Sequence, residues 1–357
     1  MVINMKWEEN VRKVVPYVAG EQPNRPNMIK LNTNECPYPP APGVRKAAEN
    51  MESAALRLYP NSNAQPLVDE LAAYYGVKPE QVFVGVGSDD VLSMAFLTFF
   101  NSGKPVLFPD VTYSFYDVWA DLYRIPYHTC ALDENWHMNP EDYKQPNGGV
   151  IFPNPNAPTG VEESQAMIEE ILQANPDVVV IVDEAYVDFG GTSALPLLKK
   201  YENLLVVQTF SKSRAMAGML IGFCIGNEKL IHYLNDVKFS FNSYTMNLPS
   251  QVMGVEAVKD DAYFKATTAK IAATRERIKK ELTSLGFTFP DSKANFIFAS
   301  HKEVPAEELF RALREADIYV RHWNKPRIAN SLRITVGTDE EMDRLIAFLK
   351  NYLEKRA

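Results

Sequence analysis

The sequence is short of the residues that build disulfide or metal frameworks. Its 357 residues include three cysteines and five histidines. Cys36, Cys130 and Cys224 lie far apart with no CxxC spacing, which excludes a zinc ribbon and suits a reducing compartment. The histidines form no HExxH pattern, so no metal is expected. Positive charge is not in excess: 37 Lys and Arg stand against 45 Asp and Glu, a net −8, so no nucleic-acid surface is expected. No apolar run approaches the ~20 residues that a bilayer span requires. The amino terminus, MVINMKWEENVRKVV, mixes acids with bases and has no apolar core, unlike a signal peptide. Internal repeats and low-complexity stretches are also absent. The expectation is a soluble cytoplasmic protein.

What is present is ordinary globular material, with 46% hydrophobic and 23% charged residues. Residues 1–30 carry Pro16, Pro23 and Pro26 with little periodicity beyond a short helix expected at Trp7–Val14, and read as an arm. A helix is expected over Gly43–Leu56. From Gln65, helices and short β-branched runs alternate, with strands expected near 81–84, 105–108, 149–152, 178–182 and 204–207. Such alternation predicts an α/β fold, a mostly parallel sheet covered by helices on both faces. The style changes near Lys259. A long amphipathic run to Leu285 precedes three short strands interleaved with helices, which predicts a smaller α+β module. The expected division is an arm at 1–30, a large domain at 31–258 and a small domain at 259–357.

The chain is organised around NLLVVQTFSKSRAMAGMLIGFCIG, residues 203–226, where Lys212 lies between two apolar runs. Burial disfavours a charged ammonium, and the neutral amine is the form that attacks a carbonyl. A lysine snorkelling from a strand end is the plain alternative. Val178–Val182 delivers Asp183-Glu184-Ala185-Tyr186 at its carboxyl end, where ligands bind in open α/β sheets. Phe152-Pro153-Asn154-Pro155-Asn156-Ala157-Pro158-Thr159-Gly160 follows another strand. Gly87-Ser88-Asp89 sits in a strand-to-helix turn, whose free N–H groups favour a phosphate. Arg321 and Arg333 fall on small-domain strands, where guanidinium groups can grip an anion with two prongs.

With these motifs in order, the sequence resembles a fold-type I pyridoxal-phosphate aminotransferase of the histidinol-phosphate aminotransferase branch. The match runs from Val15-Pro16-Tyr17 through Leu31-Asn32-Thr33-Asn34-Glu35 to Ser331-Leu332-Arg333-Ile334-Thr335-Val336-Gly337. The resemblance implies pyridoxal 5′-phosphate as cofactor, linked to Lys212 as an imine, and Lys212 as the base that moves the substrate's proton. It implies that Asp183 pairs with the pyridine nitrogen and Tyr186 donates to the 3′ oxygen. Gly87, Ser88, Asp89, Tyr113, Asn156, Ser211 and Arg214 are the further cofactor contacts it implies. Tyr59 is the tyrosine that would reach a partner subunit's cofactor in a homodimer. Tyr17, Asn34, Arg321 and Arg333 are the implied substrate contacts, for an amino donor and a 2-oxo acid. A related aromatic or phospho-amino-acid transaminase or decarboxylase is the alternative, as is a non-catalytic homologue with weakened cofactor binding.

Two positions depart from the family pattern. Leu220, eight residues after Lys212, stands where the family carries an arginine for the cofactor phosphate. Ala157 stands where an asparagine often holds the 3′ oxygen, with Asn156 one residue earlier.

Overall fold

The computed structural model describes residues 6–356. The arm's first five residues lie outside the described range. The helix expected at Trp7–Val14 is a short 3-10 turn over Lys6–Asn10. The arm then runs without regular structure to β1 (Ile29–Lys30).

Seven strands form the central sheet: β2 (Val82–Val86), β3 (Val106–Pro109), β4 (Tyr127–Cys130), β5 (Gly149–Pro153), β6 (Val180–Asp183), β7 (Leu204–Thr209) and β8 (Ile221–Gly226). Their order is β2-β8-β7-β6-β5-β3-β4, with β8 antiparallel to both neighbours and the pairs from β7 to β4 parallel. β5, β7 and β8 are buried at every residue, as strands covered on both faces must be. Alternate side chains serve opposite cores. Ile181, Leu205 and Val207 pack with the helices Ser88–Phe99 and Tyr116–Tyr123. Val180, Val182, Leu204 and Val206 face the helix Gln165–Ala174. The expected α/β architecture is the observed one.

The C-terminal layer has its own sheet, with β9 (Phe287–Thr288), β10 (Phe296–His301), β12 (Arg321–His322) and β13 (Leu332–Thr335) in the order β12-β13-β10-β9. β11 (Ile318–Tyr319) leaves that sheet and pairs in parallel with β1. One of the three short strands expected in the small module, at 318–322, is therefore two strands, parted at Val320. The same pairing carries Ile29 and Leu31 into the core of the C-terminal layer, alongside Leu309 and Ile334. The C-terminal layer thus draws on residues from the end of the arm.

Other differences are local. The helix expected over 43–56 stops at Glu49 and resumes as a 3-10 turn at Ser53–Arg57. Two helices, Glu228–Phe241 and Leu248–Lys259, and the edge strand β4 arise where no element was expected. β4 is exposed at three of its four residues, so it carries no apolar alternation. The helix Leu248–Lys259 holds Pro249 and Gly254, which lower its intrinsic preference. Asn247 starts it by accepting the Ser250 N–H at 2.8 Å, and proline is tolerated in the first turn.

Candidate active site

The carboxyl ends of β5, β6 and β7 open into one cleft of about 150 Å³. Asp183 is the last residue of β6 and is buried. It accepts a hydrogen bond from the Tyr116 hydroxyl at 2.9 Å and a longer one from the Ala185 N–H at 3.3 Å. Burial raises its pKa to about 6, against the lowering effect of those two donors. Tyr116 was not anticipated: a tyrosine on an amphipathic helix looks like core, and only the fold brings it to Asp183.

Lys212 follows β7 and lies on the same cleft. Its Nζ donates to the Thr33 carbonyl at 3.0 Å, which brings the 31–35 loop against the lysine. In that loop Glu35 is bonded by Lys30 and Thr33, and its pKa is lowered: burial opposes this, but Lys30, Thr33 and the nearby Lys212 outweigh it. Asn34, expected to touch substrate, is buried, bonded within the protein and not among the residues lining this cleft. Its Nδ2 donates to the Tyr186 hydroxyl at 2.9 Å, and its Oδ1 accepts from Thr335 Oγ1 at 3.0 Å. Its φ of +59°, a conformation asparagine tolerates better than most residues, aims the amide at Tyr186. With its oxygen accepting from Asn34, the Tyr186 hydroxyl keeps its proton free to donate into the cleft it lines.

Gly87, Ser88, Asp89 and Ser211 line the other end of the cleft. Gly87, at φ +86°, precedes the helix Ser88–Phe99, whose first-turn N–H groups face outward as every helix start leaves them. Gly222 lets the turn sit there, because a Cβ at that position would fall 2.2 Å from the Ser88 nitrogen. Asp89 does not open onto the cleft alone: its Oδ1 accepts from the Tyr113 hydroxyl at 2.8 Å, fixing the ring of Tyr113 as a wall. Burial raises the Asp89 pKa.

Two expected cofactor contacts, Arg214 and Asn156, do not line this cleft. Arg214 is buried behind the site, donating to the Ala257 carbonyl at 2.7 Å, with its guanidinium 4.1 Å from the Phe264 ring centroid. Proximity in sequence to Lys212 gave it the right charge but the wrong direction. Asn156 is also turned away. Its Nδ2 donates to the Val111 carbonyl and Thr159 Oγ1, both at 3.0 Å, and its Oδ1 accepts from Thr112, so it shapes the loop before Tyr113. Ala157 is the residue that faces the cleft. Tyr59 is absent from the cleft of its own chain; it is 81% exposed and stacked on Tyr244 at 4.6 Å. Leu220 lines the cleft beside Ser211 and is 53% exposed, at φ +52°.

A second cleft of about 120 Å³ adjoins the first through Tyr113 and Ala157. Tyr17, Arg321 and Arg333, all expected to meet substrate, line it together with Trp323. Tyr17 stacks on Phe115 at 4.2 Å. Arg321 and Arg333 are directly opposed on β12 and β13. Arg333 is half-buried, with Nη2 donating to the Asn32 carbonyl at 3.0 Å and its buried Nε left without a partner among the described residues. Burial lowers its pKa, and the neighbouring Arg321 adds to that. Arg327 in the following loop bonds Asp110, just before Val111 and Thr112, and so ties the C-terminal layer to the central-sheet domain. A broad open groove of about 730 Å³ between Trp136 and Lys293 is lined by Arg327 but by none of the expected site residues.

Residues 26–349 match the family model described as aminotransferase class I and II. This chain belongs to that family. The histidinol-phosphate aminotransferase of Lactococcus lactis subsp. cremoris (strain MG1363) is 52% identical to this aminotransferase over 352 residues, covering 99% of each chain. That of Clostridium botulinum (strain Langeland) is 48% identical over 349 residues, covering 98% of this chain and 99% of the relative. Among solved structures, histidinol-phosphate aminotransferase from Sinorhizobium meliloti, in complex with pyridoxal-5′-phosphate, superposes with a TM-score of 0.83. It is 22% identical and the match covers 92% of each chain, so it speaks to the aminotransferase fold alone.

Proposed function

We propose that this aminotransferase uses pyridoxal 5′-phosphate to exchange an amino group between histidinol phosphate and 2-oxoglutarate, with glutamate as the other amino compound. The observation that carries the substrate reading is the pair Arg321 and Arg333. They oppose each other across two strands, on the cleft next to Lys212, with no carboxylate bonded to either among the described residues. Like charges directly opposed across strands repel, and a bound anion relieves that. A phosphate on the amino donor and the carboxylate of glutamate are both anions such a pair can grip.

The residues of the first cleft suit a phosphate-bearing pyridine. The helix start at Ser88, open space where a Gly87 Cβ would stand, and the Ser88 and Ser211 hydroxyls make a cup for phosphate. Asp183, buried and anionic at neutral pH, is the partner for a protonated ring nitrogen. Tyr186, with Asn34 donating to its oxygen, donates to the ring's 3′ oxygen. Bound there, the cofactor supplies an aldehyde for the amino group and a ring that accepts the electron pair left when the Cα–H bond breaks. Lys212 Nζ is the base that takes this proton from Cα of the amino donor, and Tyr113, on the same cleft, would hold the ring in place. Arg333 and Arg321 fix the anionic end of the donor, with Tyr17 at the mouth. Two copies of the chain form the working unit, each offering Tyr59 to the other. Its exposure, with that of Leu56, Leu58 and the stacked Tyr244, supports that arrangement.

Arg321→Ala tests the substrate reading. Losing a charge-assisted contact costs roughly 1.5–3 kcal/mol, so KM for histidinol phosphate should rise by about ten- to a hundredfold. KM for glutamate should rise far less. Equal weakening of both would remove Arg321 as the group that selects phosphate.

Leu220 bears on cofactor affinity. It faces the phosphate end, and among the described residues Lys212 is the one cation lining that cleft. Leu220→Arg should tighten pyridoxal phosphate by about ten- to a hundredfold, the worth of one charged contact at roughly 1.5–3 kcal/mol. The half-exposed position has room for the longer side chain, and arginine meets the same backbone cost at positive φ as leucine. Equilibrium dialysis of the cofactor checks this; unchanged affinity would mean that the arginine does not reach the phosphate. Arg214→Ala, by contrast, should lower the melting temperature, because Arg214 supports the core.

A further inference from the structure

Trp323 stands two residues after Arg321, on the loop that leads from β12 to Arg327. The Arg321 guanidinium carbon lies 5.2 Å from its ring centroid, and that of Arg333 lies 5.1 Å from it. One indole thus contacts both members of a like-charged pair. Phe296 takes a second position against Arg333, at 5.4 Å. The charged and titratable groups near Arg333 include Arg321 and the hydroxyls of Tyr186, Tyr17 and Tyr113, and among the described residues no carboxylate is bonded to it. A carboxylate would draw the two guanidinium groups together by occupying their N–H edges. An aromatic face attracts a cation through its quadrupole and leaves those edges open.

We infer that Trp323 is the positioning residue of the anion site, holding Arg321 and Arg333 side by side without neutralising either. The inference rests on the reading of that arginine pair given under Proposed function. The Trp323 ring sits at the wall of the substrate cleft and packs against the core that contains Ile328 and Phe298. Its loop is held at the far end by Arg327, which bonds Asp110 and donates to the Leu132 carbonyl at 2.7 Å. The indole is therefore braced from both sides of the boundary between the two layers. Its electrostatic part and its packing part separate under substitution: phenylalanine keeps a π face, and leucine keeps apolar bulk without one.

The test is inhibition of the cofactor-loaded enzyme by inorganic phosphate, competing with histidinol phosphate, in wild type, Trp323→Phe, Trp323→Leu and Arg321→Ala. Wild type should be inhibited competitively, and Trp323→Phe should stay within about threefold of it. Trp323→Leu should raise both the phosphate inhibition constant and KM for histidinol phosphate by about tenfold, as expected from losing two cation–π contacts. The loss should fall on KM more than on kcat. Equal behaviour of the Phe and Leu variants would overturn the inference and leave Trp323 as packing. If Arg321→Ala relieves inhibition while Trp323→Leu does not, the inference fails and the arginine reading stands. Absence of phosphate inhibition in wild type would overturn both.

Discussion

Lys212→Ala is expected to lower transamination by at least about 10⁴-fold, since it removes both the covalent attachment point and the general base. The variant should remain folded. Lys212 contributes a single hydrogen bond, to the Thr33 carbonyl, and is not part of any apolar core. Borohydride reduction should attach the cofactor covalently to wild type and not to the variant. Retained turnover would mean that another amine, absent from this cleft, carries the chemistry. A collapsed melting temperature would instead show that Lys212 is needed to dock the 31–35 loop.

Asp183→Asn is the second large effect, and it acts in opposite directions on activity and stability. Removing one member of a buried charge pair costs about 3–5 kcal/mol, so turnover should fall by roughly 10²- to 10⁴-fold. Stability without cofactor should move the other way with pH. Burial raises the folded-state pKa of Asp183 from 3.8 to about 6, so between those values the folded chain binds more protons than the unfolded one. Stability from this group is therefore lost as pH rises through that window, and the loss is complete above it. Asparagine keeps an oxygen to accept from Tyr116 and carries no charge. Relative to wild type, the cofactor-free variant should gain stability between pH 4 and pH 7, by an order of roughly 3 kcal/mol. Thermal melts across that range, with and without cofactor, check the sign. A difference between the two proteins that does not change with pH would remove the buried carboxylate as its source.

The parts of this site that were legible in the sequence are those set by local pattern. Buried β-branched runs announce their strands, and Asp183 and Lys212 are recognisable because polar residues there interrupt apolar runs. Gly87-Ser88 is legible for a similar reason, as a strand-to-helix turn. Direction is harder to read. Arg214 sits beside Lys212 in sequence, yet the loop after β7 turns it into the aromatic cage of Tyr74, Phe210 and Phe264. Asn156 was expected on the cofactor because it neighbours Ala157, but a one-residue step reverses which side chain faces the cleft. Long-range partners leave no local trace at all. Asn34 meets Tyr186 across 152 positions, and Tyr116 meets Asp183 across 67. Trp323 carries no local signal, because its contacts with two arginines depend on the pairing of β12 with β13. The arm shows the same limit at the level of the fold. Two residues, Ile29 and Lys30, find their strand partners nearly 290 positions away.

The central claim, transamination of a phosphate-bearing donor at Lys212, is tested most directly by a single half-reaction. The enzyme loaded with pyridoxal phosphate is mixed with L-histidinol phosphate, no acceptor is added, and the cofactor's absorbance is followed. Complete conversion to the amino form of the cofactor is expected, reversed on adding 2-oxoglutarate, while histidinol without phosphate should require far higher concentrations. Equal half-saturation by histidinol and histidinol phosphate, or no conversion by either, would contradict the account.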